Sequence, residues 1–85
     1  MQERVKRMKK ENKRYILKTI GRAAADWRRK QGIRQRDIAV ELETTFTNIS
    51  AFESGNNDSA IIFLWYVLHG FDPLESDDVW QLLKN

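Results

Sequence analysis

Cysteine is absent from the 85 residues. The chain therefore has no disulfide framework, no thiolate metal ligand and no cysteine nucleophile. Histidine occurs once, at His69, inside an apolar segment. A lone histidine without a patterned acid cluster makes neither a metal centre nor a nucleophile–base pair. No glycine-rich phosphate loop is present. Asp77 and Asp78 are neighbours, which on a helix puts them on different faces, so they fit charges at a helix N-terminus better than a carboxylate pair. The expectation is a non-enzyme with no catalytic residue, no metal, no cofactor and no small-molecule substrate.

Long apolar runs are also missing. The longest, Ala60 to Leu68, is too short to cross a bilayer core of roughly 30 Å as a helix. The opening MQERVKRMKKENKRY has cations but no apolar stretch behind them, which argues against a signal peptide. A cytoplasmic protein without a membrane partner is expected. One proline and four glycines are the only breakers, and no repeat, linker or low-complexity block interrupts the chain.

Acids are scarce in the first half, and this scarcity is the informative one. Residues 1–36 hold 14 cations against three acids, a net of +11, while residues 37–85 hold Lys84 against nine acids, a net of −8. The overall +3 conceals that split. A half so basic is suited to a polyanion. With 41% hydrophobic and 32% charged residues, the composition is otherwise that of a globular domain, and a chain of this size can bury about 60% of its surface.

Val5, Met8, Tyr15, Ile16, Ile20, Ala23, Ala24 and Trp27 recur mostly at three- and four-residue steps, the mark of an amphipathic helix. Its better-supported part spans 15–30; residues 1–14 are either a longer first helix or an arm that orders on a partner. Gly32 is a helix stop. A short helix is predicted from Gln35 to Leu42, with Ile38, Ala39 and Leu42 inward and Asp37 in its first turn. Thr44 and Thr45 offer hydroxyl caps for a third, Phe46 to Ser54, with Ile49 and Phe52 inward and Gly55 beyond its end. Ser59 caps a fourth that reaches Leu68. Then either Asp72-Pro73-Leu74-Glu75 opens a fifth helix, or Ser76 caps a shorter one through Trp80, Leu82 and Leu83. No alternating run makes a strand.

The segment from Gly32 to Gly55 thus carries two short helices around a tight turn, the spacing of a helix-turn-helix. Over roughly Ile16 to Phe71 the chain resembles the phage repressor and Cro-like (xenobiotic-response-element type) helix-turn-helix family. Gln35 opens the second helix, Ile49-Ser50 with Glu53 and Gly55 reproduces the family's "IS..E.G" ending, and Arg28 stands where the family carries the arginine that pairs with that glutamate. The resemblance implies an all-α, about five-helix, lambda-repressor-like domain over 15–71, with the basic extension over 1–14 before it. A C-terminal helix over 72–85 follows, for a partner or dimer contact. It further implies a structural Arg28–Glu53 pair, double-stranded DNA as partner, a phosphate contact from Gln35, and base reading by Phe46, Thr47, Asn48 and Ala51.

Departures from the family pattern are concentrated on that reading helix. Phe46, Thr47 and Ala51 replace the longer polar side chains common there and cannot make bidentate hydrogen bonds to bases, although an apolar contact to a thymine methyl is open to Phe46 and Thr47. Glu43 replaces the turn glycine, and Arg34 replaces the hydroxyl cap before Gln35. Affinity is then expected from phosphate contacts by Arg34, Gln35, Arg36, Lys13 and Arg14. Apolar surplus in Ile61 to Leu68, with Val79, Trp80, Leu82 and Leu83, exceeds the single stripe a peripheral helix needs. Trp65, Val79, Trp80 and Leu83 are the expected protein interface, for a homodimer or another regulatory protein, unless the fifth helix simply covers the fourth. Two functions follow: a DNA-binding transcriptional regulator, or an antirepressor-like modulator that uses the same fold to block another regulator.

Overall fold

A computed structural model describes residues 2–84, with side chains described from Lys13 to Lys84. The cations of residues 4–10 expected to reach a polyanion lie outside the described side chains. Five α-helices form: α1 Gln2–Lys30, α2 Gln35–Glu41, α3 Phe46–Glu53, α4 Ala60–Leu68 and α5 Asp77–Lys84, with one 3-10 turn at Pro73–Glu75. No strand occurs among the described residues. The chain is an all-α domain with the helix-turn-helix spacing in α2 and α3. None of its described helices is long and apolar enough to cross a membrane.

Local chemistry sets the helix starts. The Thr45 hydroxyl accepts from the Asn48 N–H at the head of α3, and the Ser59 hydroxyl from the Ile62 N–H at the head of α4. Asp72 accepts from the Leu74 N–H but starts only the 3-10 turn. Ser76 then accepts from Val79 to open α5, so the shorter of the two fifth helices is the one that forms.

Helices α1 to α4 all end in the same way. The residue one past the C-cap has positive φ: Gly32 at 72°, Glu43 at 54°, Gly55 at 83° and Gly70 at 115°. In each case the next amide donates back five residues: Ile33 to Arg28, Thr44 to Ala39, Asn56 to Ala51 and Phe71 to Tyr66, at 2.8–3.1 Å. This is the Schellman arrangement, which satisfies carbonyls that the helix leaves unpaired. Three of the four positions are glycine. Glu43 is the fourth, so the helix-turn-helix turn keeps its geometry without the residue that adopts it at no steric cost.

The fourth glycine of the chain has another task. Gly21 lies inside α1, where a Cβ would meet the Phe52 carbonyl oxygen and come within 2.6 Å of the Glu53 carbonyl oxygen. α1 and α3 therefore touch backbone to backbone. Around that contact the core gathers Ala24, Ile38, Ala39, Ile49, Phe52, Ile62, Trp65, Tyr66 and Phe71. Tyr66 is fully buried at its centre, stacked on Phe52 at 5.4 Å and edge-on to Trp27 at 6.1 Å.

Two expectations about the C-terminal half are corrected here. Trp65 and Val79 are 6% exposed and belong to the interior, not to an interface; Trp80 and Leu83, at 45% and 63%, remain on the surface. Trp65 faces inward because α4 turns it, with Ile62 and Tyr66, toward the core. Val79 is the buried residue of α5, which packs along α1. Since α5 lies on α1, it leaves the outer face of α4 uncovered, with Ile61, Leu64 and Leu68 exposed.

Glu43→Gly should raise stability by up to about 1 kcal/mol. It removes a left-handed residue that costs roughly 1–2 kcal/mol, against roughly 0.5–1 kcal/mol of extra freedom in the unfolded chain. The melting temperature should then rise by several degrees, with Glu43→Ala as the control that leaves it unchanged. Gly21→Ala should do the opposite and cost about 1–3 kcal/mol by overpacking, although alanine is the better helix former by about 1 kcal/mol. Denaturant titration of both variants checks the signs.

Candidate nucleic-acid interface

Glu53, at the end of α3, is the acceptor on which three other helices converge. Arg28 of α1 meets it side-on, with Nε 2.7 Å from Oε2 and Nη2 3.0 Å from Oε1. The third guanidinium nitrogen, Nη1, donates to the Ile33 carbonyl at 2.9 Å and so holds the start of the α1–α2 loop. Gln35 of α2 donates to Oε1 at 2.8 Å, and the Tyr66 hydroxyl of α4 donates to Oε2. Arg28 and Glu53 are each only 8% exposed. Burial pushes the Glu53 carboxyl up, but the hydrogen bonds from Arg28, Tyr66 and Gln35 outweigh it and hold the group below the ordinary carboxylate range. The same contact raises the Arg28 guanidinium, and burial with the adjacent carboxylate raises the Tyr66 hydroxyl.

With Ile49, Phe52 and Glu53 inward, α3 turns Phe46, Thr47, Ser50 and Ser54 to solvent, with Ala51 half-buried between them. Phe46 is 55% exposed. Asn48 is also exposed, but its amide donates to the Thr44 hydroxyl at 2.7 Å and braces the turn. The outward face of α3 is therefore small and hydroxyl-rich, with one aromatic ring at its leading end.

Cations lie at three places around α2 and α3, and one of these adjoins the outward face. At that one, a groove between α1 and α3 is lined by Arg22, Arg29, Ser50, Ser54 and Gln35, with Asp26 also present and paired to Arg29 at 3.2 Å. At the second, past the end of α3, Lys13 and Arg14 line a shallow cleft with Gly55 and Asn56, and Lys13 lies 3.7 Å from Asp58. At the third, the head of α2, Arg34 and Arg36 are exposed. Asp37 accepts from the Arg34 backbone N–H at 3.1 Å and from its guanidinium at 3.0 Å. The Arg34 guanidinium lowers the Asp37 carboxyl. This pair is solvent-exposed and hence open to exchange with another anion.

Compared with known proteins, the chain matches no protein-family model, no curated protein and no solved structure. The phage repressor and Cro-like resemblance accordingly rests on the two-helix spacing and on Arg28, Gln35, Ile49, Ser50, Glu53 and Gly55. In the folded chain Arg28, Gln35 and Glu53 are one hydrogen-bonded cluster. Gln35, expected at a phosphate, has its amide turned to Glu53 instead. Arg22, Arg29, Ser50 and Ser54 joined the site only in three dimensions. The period-3.6 spacing of Thr47, Ser50, Ala51 and Ser54 was a readable signal for a single outward stripe. Nothing in the sequence showed that Arg22 and Arg29 lie beside it.

Removing either member of a buried pair leaves the other charge uncompensated and costs about 3–5 kcal/mol, against roughly 4–13 kcal/mol for a domain of this length. Arg28→Ala should thus leave a marginal fold in thermal melts. Because the Glu53 carboxyl is held low, its contribution is present above the ordinary value of 4.5 and is lost as pH falls through the lower folded value. Melting temperature should decline below about pH 4–5, more steeply in the parent chain than in Glu53→Gln.

Proposed function

We propose that this chain is a small phage-type DNA-binding transcriptional regulator of repressor- or Cro-like kind, acting in the cytoplasm. In this reading α3 enters the major groove and the flanking cations hold the phosphates. The observation that carries it is the surface around α3: an outward face of small side chains beside a groove that holds Arg22 and Arg29, with Arg34 and Arg36 exposed at the head of α2 and Lys13 and Arg14 past the end of α3. Small residues let a helix approach base edges closely, and the cations stand outside it where a duplex backbone runs. Two of the acids of residues 37–85 that lie in or beside the helix-turn-helix are already engaged by cations, Glu53 inside with Arg28 and Asp37 with Arg34.

Most of the affinity in this mechanism is electrostatic. Asn48, the only amide among the expected base readers, is committed to Thr44, which leaves methyl contacts from Phe46 and Thr47 as the direct readout. Sequence preference is then modest and phosphate binding strong. The exposure of Phe46 also favours a second reading, in which α3 seats this ring in another regulatory protein as an antirepressor.

Salt separates the two. Engagement of six cations predicts that the logarithm of DNA affinity falls with the logarithm of salt concentration at a slope of about −5. Arg22→Gln should lower that slope by about one unit and weaken all duplexes alike. Fluorescence anisotropy on random and selected duplexes measures both. No binding at low salt would overturn the DNA reading. A protein complex that persists at high salt, resists Arg22→Gln and is lost in Phe46→Asp would establish the second.

A further inference from the structure

Between the two arginines of the α1–α3 groove stands an acid that the DNA-binding reading does not use. Arg22, Asp26 and Arg29 follow one another at steps of four and three residues on α1, so all three project from one side of the helix, with the arginines about 10 Å apart along its axis. They line the groove opposite Ser50 of α3. Asp26 Oδ1 accepts from Arg29 Nη1 at 3.2 Å, whereas no ion pair joins Arg22 to a carboxylate among the described residues. The two arginines are therefore unequal: Arg22 is open to an anion, and Arg29 already holds one. With Arg28 and Glu53 paired behind them, the groove carries a net charge of +1, two arginines less one aspartate.

We propose that Asp26 sets the specificity of this groove: it withholds Arg29 from isolated anions and yields it to a backbone that presents successive phosphates, as one strand of duplex DNA does. This rests on the DNA-binding reading and names the residue that tunes it. A single phosphate seated at Arg22 gains one guanidinium and meets the Asp26 charge one turn away. A strand reaches both ends of the groove, and its second phosphate offers Arg29 a bidentate, charge-assisted pairing. Asp26 offers only one hydrogen bond, between side chains that are 59% and 64% exposed, and such a pair is weak enough to exchange. Once displaced, Asp26 has a second partner. Lys30, four residues on, lines with it the cleft between α1 and the 3-10 turn, and an acid four residues before a lysine is the favourable order on a helix. On its far flank Arg22 shares another cleft with Lys18 and Asp78. Ser50 is the open donor of the α3 wall, because the Ser54 hydroxyl donates to the Ala51 carbonyl and the Gln35 amide to Glu53.

Asp26→Asn and Arg29→Gln change exposed side chains and should keep the circular dichroism and melting of the parent chain. Titration with inorganic phosphate, followed through the NMR signals of the arginine side chains, tests the hold on Arg29 without DNA. Arg22 should respond in the parent and in Asp26→Asn alike, and Arg29 strongly only in Asp26→Asn. Fluorescence anisotropy on a duplex at low salt should show Asp26→Asn binding about two- to five-fold more tightly than the parent. That gain should vanish when Arg29 is already glutamine. An equal response of Arg29 to phosphate in both chains would overturn the proposal. So would an undiminished gain in the Arg29→Gln background, since Asp26 would then act as plain negative charge beside the strand. A parent chain that binds no duplex, with the phosphate result as expected, would overturn the DNA reading and leave the hold of Asp26 on Arg29 supported.

Discussion

Glu53 is a carboxylate taken out of water at the one point where α1, α2 and α4 all reach α3. An uncompensated charge there would be costly, so the fold surrounds it with donors: a guanidinium from α1, an amide from α2 and a phenol from α4. Apolar packing alone tolerates small slips of one helix against another. A carboxylate with fixed hydrogen-bond directions does not. The cluster therefore sets the orientation of α3 on the other helices, and with it which residues α3 turns outward.

Close backbone approach and the buried carboxylate act together. Gly21 lets α1 touch the last turn of α3, and this proximity brings Arg28, two turns further along α1, within bidentate reach of Glu53. Gly55 continues the same seam, since a Cβ there would fall 2.8 Å from the Lys18 Cα. Cations on the outer side of α1 are thereby carried to the rim of α3. The groove holding Arg22 and Arg29 is thus a consequence of how the core is built.

Acidic and basic halves of the chain fold onto one another with only partial mutual neutralisation. Few of the acids are spent on the cations around α3: Glu53 takes Arg28 into the core, Asp37 holds Arg34, Asp26 holds Arg29 and Asp58 lies near Lys13. Three of these four pairs are exposed, and exposed pairs are weak enough to rearrange around a ligand. The uncharged surface collects on α4, apart from the basic border of α3. Charged surface and apolar surface consequently occupy different helices.

Much of the architecture was legible in the sequence because its signals are local. Periodicity marked the helices, Thr45 and Ser59 marked two of the caps, and Gly32, Gly55 and Gly70 stand at the left-handed positions that end α1, α3 and α4. Arg28 and Glu53 could be matched through the family-like spacing of Gln35, Glu53 and Gly55. Glu43 was the exception, since the hydrogen bonds of the turn override its steric cost and keep the glycine-like geometry. What stayed hidden depends on contacts between distant segments. No local pattern told that Trp65 and Val79 face inward, because α4 is apolar on every side and only packing chooses a face. The same holds for α5, whose amphipathic stripe fits α1 or α4 equally until the chain closes. The sequence by itself determined the all-helical character, the starts of α2, α3 and α4 and the separation of charge; only the tertiary structure decided where α1 and α5 begin, which cations adjoin α3 and which apolar face of α4 is left to water, because the last two follow from how the helices pack around one buried carboxylate.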